Sequence, residues 1–347
     1  MDSITQILLG ASVAAVVVPA HHRRAALLAG AALGTLPDLD SLPIALFTDD
    51  PVALMTLHRG FSHSLFVLPL VAWAIWAFFR SRGKRVAEAP MRWFWAIQLA
   101  LVTHPLLDAF TVYGTQLLWP LQPHPAMWSS VFIIDPLYTL WLLIGMGVAA
   151  FAGPRRIARP MLVAGLALST VYLGWSLVAK GMVEREAERS LAALGLQDTP
   201  RFSVPMPFNT LLWRVVAITP EGYVIGDRSV VADRGPMHFE RHASDVEALA
   251  AVSGIHAVQR LQWFNRGFMR AEVRDGELVL SDLRMGLEPE YAFNFVVARA
   301  DGDGGWRSIP PRQLESAYRA PVEEGGVMSA LAGMWARIWT QPVAPAQ

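Results

Sequence analysis

The first 180 residues carry apolar runs long enough to be buried in lipid, at Ile4–Ala20, Leu65–Phe79, Trp93–Phe110, Val131–Ala152 and Met161–Ala179, with a shorter run at Ala25–Leu36. A bilayer crossing takes roughly 20 apolar residues, with about 17 near the lower limit. Five runs therefore read as spans, and the sixth as half a span or a re-entrant segment. The first run follows an acid, Asp2, and lacks a basic flank, so it reads as retained rather than as a cleaved signal. The apolar excess is local: residues 1–180 hold 20 charged side chains, whereas the remaining 167 residues hold 38.

Basic residues cluster at His21–Arg24, at Arg80, Arg82, Lys84, Arg85 and Arg92, and at Arg155, Arg156 and Arg159, while Tyr113–Ser130 has no Lys or Arg. By the positive-inside rule those three loops face the cytoplasm. Six passes then put Pro37–His63, Tyr113–Ser130 and everything after Lys180 at the outer, periplasmic face. The expected localisation is the cytoplasmic (inner) membrane, multi-pass, with the lipid bilayer as partner.

After about Glu184 the composition turns charged and mixed. Glu184–Leu194 reads as a helix, and Trp213–Ile218, Tyr223–Gly226, Met269–Val273, Leu278–Leu280 and Ala292–Val297 read as short strands separated by Gly-rich turns. Val327–Trp339 has apolar residues at helical spacing and reads as an amphipathic helix on this domain or at the lipid surface; the Pro/Ala-rich tail after Gln341 reads as loose. The expected fold class is a membrane α-helical domain of about five to six apolar helices (1–180), a linker helix (181–200), a small, mostly β (α+β) soluble domain (201–325) and a terminal helix with its tail (326–347).

Equal numbers of basic and acidic residues, 29 each, remove the electrostatic case for a nucleic-acid partner. The absence of cysteine excludes disulfides, thiolate zinc sites and thiol nucleophiles. Any site chemistry falls to His, Asp, Glu, Ser, Thr or Lys, and ionisable groups inside apolar segments are functional candidates because burial there is costly. Three such groups stand out: Asp38 and Asp40 after Pro37, His58-Arg59-Gly60-Phe61-Ser62-His63-Ser64 before the third run, and His104 with Asp108 in the fourth. Each has an ordinary reading alone, as a turn, a cap or an interhelical hydrogen bond. Together they suit a divalent metal, above all zinc, since carboxylate oxygens and neutral imidazoles are its usual ligands when thiolates are absent. The spacing of four puts His104 and Asp108 on one helix face. Asp135, before Pro136, reads as a helix-start or loop residue rather than a ligand.

These motifs, with Met1-Asp2-Ser3-Ile4-Thr5-Gln6, Gly34–Asp40 and Tyr113-Gly114-Thr115, resemble the YdjM-like family of membrane-bound metal-dependent hydrolases over about residues 1–180. The later chain also looks like that of longer members, at Asn209–Arg214, Trp263-Phe264 and Asp282–Gly286. A more distant similarity, to the helical zinc phospholipase C and P1 nuclease enzymes, implies Asp38 or Asp40, His58, His63, His104 and Asp108 as metal ligands. Gln6 stands where many family members have a histidine, which implies fewer metals or a supporting role for Gln6.

The leading expectation is a metal-dependent hydrolase of a phosphoester, such as a phospholipid, at the outer membrane face. Asp38 or Asp40 would act as general base and Arg59 would bind the anionic phosphate. The rivals are an ion-coupled transporter using its intramembrane His/Asp pairs, and a non-enzymatic scaffold whose helices are held by metal.

Overall fold

The computed structural model describes residues 1–315 and 326–341. The chain divides into two compact units, one of Met1–Phe47 with Leu57–Ser176, the other of Thr48–Thr56 with everything from Leu177 onward.

The first unit is helical. It contains α1 (Ser3–Val17), α2 (Arg23–Thr35), α3 (Ser41–Phe47), α5 (Val67–Ser81), α6 (Lys84–Glu88), α7 (Pro90–Asp108), α8 (Pro136–Ala152) and the first half of α9 (Ala158–Ala193); the short α4 (Pro51–Leu57) lies almost wholly in the second unit. Local chemistry sets several of the helix starts. Asp2 caps α1 through the Thr5 N–H, and Asp135 caps α8 through the N–H groups of Leu137 and Tyr138 with Pro136 at the first position. Of the two ordinary readings of Asp135, a helix start or a loop residue, the first is the one observed.

The tight approach of α1 to α2 depends on glycine. A Cβ on Gly10 would lie 2.3 Å from the Gly30 carbonyl oxygen, and one on Gly34 would lie 2.4 Å from that of Gln6. Only hydrogen fits at this crossing, and the approach brings Gln6 and the Gly34 carbonyl to the end of α7. Around the crossing, Ala11, Ala14, Ala15, Ala26, Leu27, Trp93 and Ala96 form one apolar core; Met1, Leu8, Leu107, Val131, Tyr138 and Leu142 form a second, nearer the site.

The expectation of five to six apolar membrane helices is corrected. Among the described residues, one helix, α9 with 36 residues, is able by length and composition to cross a membrane; a second qualifies only if Pro51–His63 and Val67–Ser81, bent by 57°, are one span. The other apolar runs are cut short. α1, α2 and α8 have 15, 13 and 17 residues, and at about 1.5 Å per residue each is shorter than a hydrocarbon core of about 30 Å. α7 has 19 residues but carries Arg92, Gln98, His104 and Asp108. Apolar residues in α1, α2 and α7 are buried largely against one another.

The second unit is β-rich and larger in strand content than the sequence indicates. β1 (Arg201–Pro205), β2 (Leu212–Thr219), β3 (Gly222–Ser229) and β4 (Glu240–Ala243) form one antiparallel sheet in that order. β5 (Met269–Arg274), β6 (Glu277–Asp282), β9 (Asn294–Ala300) and β10 (Trp306–Gln313) form another, ordered β10-β9-β6-β5, and β7 (Gly286–Leu287) pairs with β8 (Glu290–Tyr291). The C-terminal half of α9 packs Ala179, Val183, Ala187 and Leu191 against Trp213, Val215 and Val224 of the first sheet. Two helices, α10 (Val246–Ala251) and α11 (His256–Asn265), connect the sheets. The terminal helix α12 (Gly326–Trp339) seats Ile338 against Met206 and Leu212, and Arg337 pairs with Asp233. The expected loose tail after Gln341 lies outside the described residues.

Candidate metal centre

Four of the six side chains expected as ligands converge. Asp38 ends the approach from α2 on a 3-10 turn (Leu36–Asp40), His63 sits on a second 3-10 turn (Phe61–His63), and His104 and Asp108 share one face of the last turns of α7. Their donor atoms lie within 4.8 Å of one another. His63 Nε2 is 3.1 Å from His104 Nε2 and 3.3 Å from both Asp38 Oδ1 and Asp108 Oδ2. His104 Nε2 is 3.4 Å from the same two oxygens.

Those separations have a direct meaning. Ligand atoms placed tetrahedrally about 2.0–2.1 Å from a zinc ion are roughly 3.3–3.4 Å from one another. Asp38 Oδ1 and Asp108 Oδ2 are buried without an aligned hydrogen bond, although Arg59 Nε faces Asp108 Oδ2 at 3.1 Å, and buried oxygens of this kind suit a cation. The residues therefore fit a divalent ion.

Surrounding hydrogen bonds fix both imidazoles with Nε2 inward. His104 Nδ1 lies 2.6 Å from the Gly34 carbonyl, an obligate acceptor, so Nδ1 carries the proton. Ser62 Oγ donates its one proton to Asp40 Oδ2 at 2.6 Å and accepts from His63 Nδ1 at 2.9 Å. In both rings Nε2 faces the carboxylates.

Asp40 and His58 are placed one layer outside the cluster. Asp40 Oδ1 accepts from His58 Nδ1 at 2.7 Å, while Oδ2 accepts from Ser62 and from the Arg59 N–H at 3.1 Å, so one carboxylate organises the whole His58–His63 turn. His58 Nε2 is left 4.0 Å from Asp38 Oδ1. These two form the open side: the side chains of Asp38 and His58 are 22% and 24% exposed, whereas His63, His104 and Asp108 are fully buried.

Arg59 points inward. Its Nε is 3.1 Å from Asp108 Oδ2, its Nη1 donates to Thr111 Oγ1 at 3.3 Å, and its guanidinium lies 4.9 Å from the centre of the Tyr113 ring. Its backbone is left-handed, φ 61°, a conformation costing roughly 1–3 kcal/mol in a non-glycine residue. Two hydrogen bonds hold it there: Asp40 accepts from its N–H, and its carbonyl accepts from the Gln116 N–H at 3.0 Å. Arg59 therefore neutralises a carboxylate of the cluster rather than standing free.

The remaining polar shell comes from the start of the chain and from small side chains. Gln6 takes a supporting place: its Nε2 donates to Asp108 Oδ1 at 3.0 Å and to the His104 carbonyl at 3.2 Å, and the Met1 nitrogen donates to the same Asp108 oxygen. Ser62, Thr111 and the Gly34 carbonyl lie outside the sequence expectation and carry no chemical signature of their own. Ser62 is conspicuous in the sequence only through its place between two histidines.

A helical unit that gathers two buried histidines and two aspartates, in a chain that also has a β-rich unit, defines a candidate metal-site protein of membrane character. The family model described as YdjM inner membrane protein matches residues 1–183, and the chain belongs to that family, whose environment is the lipid bilayer. It is also 22% identical over 257 residues to YfhP, an uncharacterized protein of Bacillus subtilis (strain 168), covering 68% of this chain and 72% of that one. No solved structure matches the chain.

Proposed function

We propose that the protein is a membrane-bound metal-dependent hydrolase acting on a phosphoester, with Asp38, His63, His104 and Asp108 as ligands of one divalent ion, zinc by preference. The observation that carries this reading is the set of 3.1–3.4 Å separations that the His63 and His104 Nε2 atoms make with each other and with two buried carboxylate oxygens, all four donors lying within 4.8 Å of one another. A bound zinc ion supplies a Lewis acid and brings the pKa of water toward about 7.

The chain's own residues supply the rest. His58, its Nδ1 proton held by Asp40, offers Nε2 at the open side for proton transfer, so Asp40 acts as the orienting carboxylate of a dyad. Asp38 lines the same opening. Arg59 holds Asp108 in place and adds positive charge behind the centre, where an anionic phosphate benefits from it.

Charge is segregated along the helices that carry the site. α2 and α7 bear Arg23, Arg24 and Arg92 at their starts and reach the site at their ends; α5 starts after His63 and ends at Arg80. That segregation, with the membrane setting of the family, supports a centre on the side away from the basic ends, and a phospholipid headgroup is a fitting phosphoester there.

Metal analysis of detergent-purified protein beside a His104→Ala/Asp108→Ala double variant tests the reading. One divalent ion per chain in the wild type and none in the variant is expected, followed by phosphoester turnover that the variant lacks. No bound ion after metal loading sinks the hydrolase reading, and binding without turnover favours a metal-stabilised scaffold.

A further inference from the structure

The terminal helix α12 of the β-rich unit presents two different strips. Residues three and four apart share a helix face. Met334 and Ile338 form the strip turned to the unit and pack on Met206 and Leu212. The next strip round the helix, Ala332, Trp335, Ala336 and Trp339, is exposed, the two tryptophans by 53% and 58%. A helix that served only to cover the sheet would need the Ile338 strip alone.

The end of α12 is fixed, so the indoles are held outward. The Ile338 carbonyl accepts from Ser229 Oγ at 2.6 Å. Arg337 makes a two-pronged pair with Asp233, at 2.8 and 2.5 Å, and Asp233 Oδ2 also accepts from the Ser229 N–H at 2.9 Å. Gln341 exchanges hydrogen bonds with the backbone of Arg234.

Apolar side chains around this seat are exposed as well. Val231 and Phe208 each stand two residues from a contact of Ile338, the first from Ser229 and the second from Met206. Phe208 has a left-handed backbone, φ 65°, which a non-glycine residue adopts only at a cost. Asn209 closes the turn behind it, its Oδ1 accepting from the N–H groups of Leu211 and Leu212 at 2.9 and 2.8 Å. Among the described residues from 195 onward five large apolar side chains are exposed, and four of them are Phe208, Val231, Trp335 and Trp339; the fifth, Val273, lies on β5 of the other sheet. Single exposed apolar residues are ordinary, whereas a cluster of them marks a docking surface.

The charge beside the cluster says what docks. The Arg228 guanidinium donates to the Gly235 carbonyl at 2.8 Å, and that of Arg234 to the Val231 and Asp233 carbonyls at 3.3 and 3.2 Å; among the described residues neither arginine has a carboxylate. The nearby acids, Asp227 and Asp233, are taken by Arg214 and Arg337. Indoles rimmed by arginines without acidic partners match the boundary between acyl chains and phosphates, where an amphipathic ring and a cationic head are both satisfied. The chain enters this unit through α9, the described helix able by itself to cross a membrane, and the family is one of inner membrane proteins.

We infer that the exposed strip of α12, with Phe208 and Val231, is a membrane-docking patch of the β-rich unit. Trp335 and Trp339 enter the headgroup–acyl boundary of a phospholipid bilayer, and Arg228 and Arg234 take its phosphates. The inference is independent of the metal centre.

The chain has no cysteine, so one introduced cysteine carries one nitroxide spin label. Full-length Ala332→Cys, Trp339→Cys and Val273→Cys proteins are labelled in nanodiscs of phosphatidylcholine with phosphatidylglycerol. Relaxation of each label is compared with oxygen, which concentrates among acyl chains, and with a water-soluble nickel chelate. Labels at 332 and 339 are expected to give an oxygen-to-nickel ratio several-fold higher than the label at 273. Trp335→Ser in the Ala332→Cys background is expected to lower that ratio, as are Arg228→Gln with Arg234→Gln, and discs of phosphatidylcholine alone. Ala332→Cys changes an exposed alanine and keeps both indoles, so it reports on the patch even where Trp339→Cys folds poorly. Labels at 332 and 339 as open to nickel as the one at 273 overturn the inference. Labels shielded from both reagents overturn it too, and dipolar broadening between chains would then assign the strip to contact between two copies. A ratio indifferent to both arginines and to lipid charge overturns the role given to Arg228 and Arg234.

Discussion

His63 Nε2 and His104 Nε2 face each other at 3.1 Å, each with its Nδ1 proton committed to a partner behind it. Two imidazole nitrogens at that distance, with two carboxylate oxygens beside them, call for positive charge among them. Ser62 is the part of this arrangement most easily removed without touching a proposed ligand. Ser62→Ala frees His63 Nδ1 and takes a donor from Asp40, and is expected to weaken zinc binding by roughly 10–100-fold at unchanged stoichiometry. Competition against a chromophoric chelator measures it; an unaltered affinity would show that His63 needs no such orientation.

The two carboxylates of the cluster differ in what depends on them. Asp108 is fully buried against Arg59, whereas Asp38 is partly exposed. Breaking a buried ion pair from one side leaves an uncompensated charge and costs about 3–5 kcal/mol. Asp108→Asn is therefore expected to lose metal binding and to lower stability in the presence of chelator. Asp38→Asn should lose metal binding with a much smaller change in the chelator-treated protein. Denaturant titrations of both variants with and without zinc separate the two effects, and equal losses of metal-free stability would refute the assignment.

That Asp38, His63, His104 and Asp108 deserve notice is legible in the sequence, because ionisable residues in apolar runs are costly enough to need a reason. Which of them meet is not. Asp38 and Asp40 are two apart on a 3-10 turn, and nothing in their spacing says that the first joins the histidines while the second turns to His58 and Ser62. The number of spans misleads for a related reason: an apolar run reads alike whether it faces lipid or the neighbouring helix, and α1, α2 and α7 face one another through Gly10, Gly30, Ala14 and Ala96. In the β-rich unit, the apolar stretches at β2, β3, β5, β6 and β9 between turn signals are readable. β10 is hidden by Pro310 and Pro311, which are admissible because it is an edge strand. The mixed sequence of α11 likewise conceals its apolar face of Val258, Leu261 and Phe264.

The glycine crossing that delivers the Gly34 carbonyl to His104 gives a paired test. Gly34→Ala places a methyl group 2.4 Å from the Gln6 carbonyl oxygen, so α1 and α2 must separate. Overpacking of this kind costs about 1–3 kcal/mol, and moving Gln6 and Gly34 disturbs both His104 and Asp108. Gly147→Ala meets nothing within 4 Å in the interior of α8, so it is expected to be neutral or to stabilise by up to about 1 kcal/mol through helix propensity. Thermal melts and zinc titrations of the pair should therefore diverge. A Gly34→Ala variant with normal melting and normal affinity would mean that the crossing relaxes without consequence for the centre.

In the β-rich unit, Glu288 accepts from Tyr223 at 2.5 Å, from Tyr291 at 3.0 Å and from Arg270 Nη1 at 2.9 Å. Burial, with the Glu288 carboxylate adding to it, pushes the Tyr223 phenol up to about 12. A free phenol ionises near pH 10, so between about pH 10 and pH 12 the unfolded chain gives up this proton while the folded chain keeps it. The folded state then binds more protons than the unfolded one, and stability falls as pH rises through that window, being fully present below it. Tyr223→Phe removes the titrating group and is expected to flatten that fall. Phenolate absorbance followed during alkaline titration should show one late-ionising tyrosine fewer in the variant. If Tyr223 instead ionises with the ordinary phenols near pH 10, the Glu288 cluster does not hold it as described.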